Sequence, residues 1–362
     1  MTATHLSDPA TEVELARAEA SLEPRQHRRW PWRVVMGVAT LGLVWVDVVY
    51  LGPYLTTAAG ALGHPELRWL LLALGAQFAA FGAFARLQRR MLAAGGTRLS
   101  MPRMLTLTYA ANALNATLPA GLALSSGYTF RRLRARGVSV PSASFTILAS
   151  SLLSTLSFAV VALVAWVLAG AGSSGVTTLV VAVPLVLGAA LLVRGAIRHP
   201  QVLVRAATRV LLLTDRLLHR KASSGPSRVQ ALVHDLSAVR ARPRDWITGL
   251  AFAAGNWIAD LVCLFACLQA VGTNAATFTL AGVAFVAGKA SASASLLPGG
   301  LGLADLAMIA TFTHGGLSTS AATAGVLLYR LISFVLIVAI GWLLFAGTWY
   351  ADTRRPVRHP SG

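Results

Sequence analysis

Five ionisable side chains stand among apolar neighbours, and they carry whatever chemistry this sequence can do. Asp47 lies midway along the first apolar run, Asp260 in the run before the last, and Arg330 a few turns into the last. Lys289 and Asp305 flank a stretch of helix breakers, Ser295-Leu-Leu-Pro-Gly-Gly-Leu-Gly302. A charge at the bilayer centre costs roughly 2.5–3.5 kcal/mol on insertion scales, so each of these needs a partner or water. Opposite signs at similar depth predict pairing across a bundle interior, with Asp47 and Asp260 as the intramembrane charge partners of the bases. A helix restarting near Leu301 would present free N–H groups and the positive end of its dipole at the break. With Arg330 and Lys289 beside it, and Gly299 and Gly300 in the break itself, this end makes a positive pocket suited to a phosphate or carboxylate. Asp305 would orient the arginine, the favoured residue for bidentate phosphate contact. Thr108, Asn112 and Asn115 fall on one face of an earlier helix and offer neutral hydrogen-bonding groups.

The residues do not form a catalytic constellation. His314 lies at the end of the second broken stretch, and the other histidines are in tails or loops. No His/Cys/carboxylate cluster has metal-ligand spacing, and no P-loop or dinucleotide fingerprint follows a strand. Neither catalysis nor a cofactor or metal is expected. Cys263 and Cys267 sit at helical spacing in one apolar segment and read as packing residues.

The elements that must position these groups follow from composition. Of 362 residues 56% are apolar and 12% charged, about half the charge of a soluble domain. An all-α polytopic membrane protein is the class that fits. The formal charge of +18 comes from 31 Lys+Arg against 13 Asp+Glu. These bases flank apolar runs, which points to anionic lipid and topology rather than nucleic acid.

Residues 1–33 read as a disordered cytoplasmic tail and 351–362 as a second tail. Six spans are predicted, near Val34–Leu55, Leu67–Arg86, Ala143–Leu168, Val176–Val193, Trp246–Ala270 and Ser320–Tyr350. Two further stretches are broken: Met104–Phe130 at Asn115-Ala-Thr-Leu-Pro-Ala-Gly121, and Ala276–His314 at Ser295–Gly302. Pro and Gly weaken a helix at mid-depth. If the first broken stretch crossed the bilayer, Arg131, Arg132, Arg134 and Arg136 would lie opposite the bases at 86–103, against the positive-inside rule. Both stretches are therefore expected to be re-entrant hairpins, one from each side, with both termini cytoplasmic. The basic connector 194–244 carries two amphipathic patterns expected to lie on the inner leaflet.

A repeat supports this arrangement. A shift of 179 residues lays Leu118-Pro-Ala-Gly121-Leu-Ala-Leu124 on Leu297-Pro-Gly-Gly300-Leu-Gly-Leu303. Over residues 118–158 against 297–337 the match gives 11 identities in 41 positions, where about four are expected by chance in apolar sequence. The units, about 67–168 and 246–350, take opposite orientations by charge. Broken segments at matching places in inverted halves point to a transporter-like site at the repeat interface.

Leu297-Pro-Gly-Gly-Leu-Gly-Leu-Ala-Asp305, then Ala324-Gly-Val-Leu-Leu-Tyr329-Arg330-Leu, resembles the lysylphosphatidylglycerol synthase transmembrane (flippase-like) family. Leu118-Pro-Ala-Gly and Tyr128-x-x-Arg131-Arg-Leu-x-x-x-Gly137-Val extend the likeness over roughly residues 34–350. In that pattern Asp305 stands where the family usually has Glu, one methylene shorter. The resemblance implies the lipid-translocating part of such synthases. Few residues follow the last span, so the synthase domain is expected to be absent. The function expected is a lipid flippase of the cytoplasmic membrane, moving an anionic phospholipid or a lipid-linked precursor between leaflets. The runner-up is a non-transporting accessory subunit that binds lipid or a partner synthase or glycosyltransferase. Nucleic acid is not an expected partner.

Overall fold

A computed structural model describes residues 66–118, 121–170, 241–273, 275–294, 300 and 302–353. The expected spans near Val34–Leu55 and Val176–Val193, the basic connector up to residue 240, and Asp47 lie outside these residues.

Among the described residues the chain is helical, with no strand. The helices are α1 (Leu67–Ala94), α2 (Met101–Thr117), α3 (Gly121–Arg134), α4 (Val140–Gly170), α5 (Pro243–Ala270), α6 (Phe278–Ala294), α7 (Leu303–His314), α8 (Thr319–Arg330) and α9 (Ile337–Thr353). A π-helical stretch, Leu331–Leu336, joins α8 to α9. Four helical runs are long and apolar enough to cross a membrane: α1, α4, α5 and the continuous run Thr319–Tyr350. The order in both halves is a long helix, two short ones and a long one.

Local sequence explains the ends. Pro102 and Pro243 sit in the first turns of α2 and α5, where a missing N–H removes no helical bond. Asp245 accepts the backbone N–H of Arg242 at 3.0 Å and so caps α5. Ser318 caps α8 by accepting from Ala321 N at 3.3 Å. Thr108, Thr117, Thr146, Thr311 and Thr313 each return their hydroxyl to the carbonyl four residues back. A hydroxyl satisfied this way can sit in an apolar bundle without an outside partner.

α1 and α5 form the centre. They run antiparallel: Glu66 N–H donates to Ala270 O at 3.1 Å at one end, and Arg90 pairs with Asp245 at 2.7 Å at the other. Gly249 lets them close up, because a Cβ there would stand 2.7 Å from Leu153 and 2.9 Å from Met91. Around this pair the short helices cross over. α2 lies against α9, where Gly341 admits the Tyr109 carbonyl, and α6 lies against α4, where Gly282 faces Ala165. Leu71, Phe78, Val164, Trp166 and Leu343 are exposed on α1, α4 and α9, an outer face fit for hydrocarbon. Cys263 and Cys267 are buried free thiols packed in the core, the role their spacing suggested.

Candidate functional site

Both breaks fall where Pro and Gly stand. α2 ends at Thr117 and α3 starts at Gly121; α6 ends at Ala294 and α7 starts at Leu303. The chain doubles back so tightly that glycine is required at matching places. A Cβ on Gly121 would lie 2.1 Å from the Asn115 carbonyl oxygen. One on Gly300 would lie 2.5 Å from the Ala292 Cβ, at a φ of +66°. Gly300 thus shapes the turn, and Gly299 lies outside the described residues.

At the start of α7 the backbone turns through Gly302, with φ +77°. Asp305, in the first turn, accepts the Gly302 N–H on Oδ2 at 3.2 Å. Its other oxygen, Oδ1, accepts from Arg330 Nε. A single carboxylate therefore caps the restarted helix and aims the arginine. The short Asp305 side chain spans this gap on both sides. Arg330 also lies over the Phe334 ring at 5.9 Å, which ties it to the π-helical stretch that follows. Such stretches recur at functional sites.

Lys289 does not join Arg330. Its Nζ pairs with Asp260 Oδ2 at 2.8 Å, and Tyr329 OH donates to Asp260 Oδ1 at 2.9 Å. Phe285, Trp257 and Tyr329 surround the ammonium at 5.1, 5.7 and 5.9 Å from their ring centres, within cation–π range. The expected positive pocket is therefore corrected in one respect. Each of these two bases is closed on an acid, and the set Asp260, Lys289, Asp305 and Arg330 is neutral. Two acids and two bases in an apolar surrounding are more stable in closed pairs than as a concentration of like charge.

The neutral groups are divided. Thr108 is buried and engaged with Gln88 Oε1 at 3.0 Å as well as with its own helix, so it serves packing. Asn112 is half-buried and Asn115 exposed on α2, and neither joins the two ion pairs. Tyr329 and the rings around Lys289 were not picked out as site residues. Tyr329 is 2% exposed, and a tyrosine buried in an apolar run needs a hydroxyl partner, which was the available signal.

Four membrane-length helices among the described residues, breaks at matching places and charges paired inside the bundle define a multi-pass membrane protein. The chain belongs to the family described as the lysylphosphatidylglycerol synthase TM region, whose model matches residues 32–341. It is also similar to a curated relative named as a UPF0104 membrane protein of Methanothermobacter thermautotrophicus, 28% identical over 136 residues. That match spans 36% of this chain and 40% of the relative.

Proposed function

We propose that the chain moves an anionic phospholipid, or a lipid-linked precursor with an acidic head group, between the leaflets of the cytoplasmic membrane. The observation that carries this reading is Arg330 held by Asp305 at the start of α7, beside the break in the helical hairpin. A phosphate arriving there meets a guanidinium and a helix dipole of the right sign. Lys289 with its partner Asp260, Gly299 and Gly300 belong to the same proposal by their places around the break between α6 and α7, and Asn112 and Asn115 enter it on their sequence pattern alone. The family's link to a lipid-modifying synthase supports a lipid substrate.

The transport geometry belongs to the same proposal. The two units are inverted repeats, each a span, a re-entrant hairpin and a span, with two more spans in the chain and both termini cytoplasmic. Support comes from the antiparallel α1/α5 pair, and from α2 packing on the last helix of the other unit as α6 does on α4. Cysteines introduced near Arg134 and His314 should label from opposite sides of the membrane; labelling from one side contradicts the inversion.

The functional test is leaflet exchange in vesicles reconstituted with the full chain. Fluorescent phosphatidylglycerol should equilibrate between leaflets with wild-type protein, and Arg330→Ala should reduce that rate by roughly 30-fold or more, the loss of a charge-assisted bidentate contact of about 2–3 kcal/mol. An unchanged rate in the variant removes Arg330 from the mechanism. Lipid binding without exchange in the wild type assigns the chain to an accessory, lipid-holding role instead.

A further inference from the structure

We infer that the site takes up a proton together with each anionic head group, and that Asp260 holds it. This rests on the anion reading above and adds the ion that travels with the lipid.

The starting point is a charge count. Lys289 is closed on Asp260 and Arg330 on Asp305, so the set is neutral as it stands. A phosphodiester brings one negative charge that nothing in the set balances. An uncompensated charge in an apolar bundle is costly. A proton taken from water onto one carboxylate restores neutrality and releases one base to face the phosphate.

The mobility of the paired base selects the carboxylate. Both acids have both oxygens engaged, Asp305 with the Gly302 N–H and Arg330, Asp260 with Tyr329 and Lys289. A proton on Asp305, however, would also uncap α7 and strand the more deeply buried Arg330. Asp260 accepts from Tyr329 on Oδ1, and only its Oδ2 meets Lys289. A proton on Oδ2 replaces Lys289 there and leaves the Tyr329 hydrogen bond in place. Lys289 is also the base with room to move. Its side chain is 33% exposed against 12% for Arg330, and it lies close to the end of α6 at the break. The three rings around it favour an ammonium even when the carboxylate is neutral.

Among the described residues the groups facing Asp260 are few. α6 contributes Lys289, α8 contributes Tyr329 with Arg330 next to it, and α5 itself contributes Cys263. α1 between Arg68 and Arg86, and α4 along its whole length, carry no ionisable side chain. Tyr329 and Arg330 are adjacent residues, so the proton site and the anion site share one turn of α8 just before the π-helical stretch.

The test is calorimetric titration of the full-length protein in detergent with dihexanoylphosphatidylglycerol, in two buffers of different ionisation enthalpy near neutral pH. Wild type should take up about one proton per lipid bound. In Asp260→Asn, whatever lipid affinity remains, the proton uptake per lipid bound should fall to zero, and Asp260→Glu should restore it. Binding by wild type without proton uptake overturns this inference and leaves the anion site standing. Uptake that survives in Asp260→Asn overturns the assignment to Asp260. Absence of binding by wild type overturns the anion reading itself. The wild-type stoichiometry decides whether a proton is taken up even if Asp260→Asn does not fold.

Discussion

The helical units 67–170 and 243–353 share an order of elements and part of a sequence, yet only the second carries the four paired charges inside its bundle. At the 179-residue shift, Asp260, Lys289, Asp305 and Arg330 correspond to Phe81, Ala110, Ser126 and Ser151. Where Asp260 and Lys289 join α5 to α6, the rings of Phe81 and Tyr109 stack at 4.7 Å and join α1 to α2. Where Tyr329 donates to Asp260, the other unit has Ser150, whose buried hydroxyl has no hydrogen-bond partner among the described residues. The same scaffold is thus held in one half by an aromatic contact and in the other by an ion pair. An apolar contact does this job at least as well, since buried ion pairs are weak stabilisers and strong liabilities once one partner is lost. The ion pairs are therefore better explained by function than by stability.

That comparison can be broken most forcefully at the ion pair. Asp260→Asn should lower the unfolding free energy by about 2–3 kcal/mol, somewhat below the range for a fully buried pair because Lys289 is partly exposed. Thermal unfolding in detergent reads this. The double variant Asp260→Leu with Lys289→Met imitates the uncharged unit and should recover most of that stability while abolishing leaflet exchange. A double variant as unstable as Asp260→Asn would make the pair structural after all.

A smaller effect is expected where the two units agree. Gly121→Ala and Gly300→Ala should each cost about 2 kcal/mol, through overpacking at both and a left-handed backbone at Gly300. The smallest belongs to Gly75, which has open space around it on α1. Gly75→Ala should be neutral or stabilising by up to about 1 kcal/mol. Equal effects at all three positions would mean that the doubled-back turns are not the rigid points of the fold.

How much of this was legible in the sequence depended on how local the cause was. The breaks were, because Pro119, Gly121, Pro298 and Gly300 act on their own backbone. So was the Arg330–Asp305 pair, since a carboxylate in the first turn after a break faces both the helix end and whatever packs there. The partner of Lys289 was not. Asp47, Asp260 and Asp305 all had suitable sign, and only the crossing of α5, α6 and α8 selects Asp260. The π-helical stretch Leu331–Leu336 was equally hidden, since its residues are ordinary helix formers and no Gly or Pro marks it. The family resemblance, carried by the Pro-Gly-Gly and Leu-Tyr-Arg segments, was readable because those residues are few and closely spaced.

The central claim is that Arg330, held at the restart of α7, selects lipids by a negative head group. Native mass spectrometry of the purified protein in an equal mixture of phosphatidylglycerol and phosphatidylcholine tests it most directly. Wild type and Gly75→Ala should retain phosphatidylglycerol preferentially, and Arg330→Ala should retain the two lipids alike. An anionic preference that persists undiminished in Arg330→Ala would contradict the account.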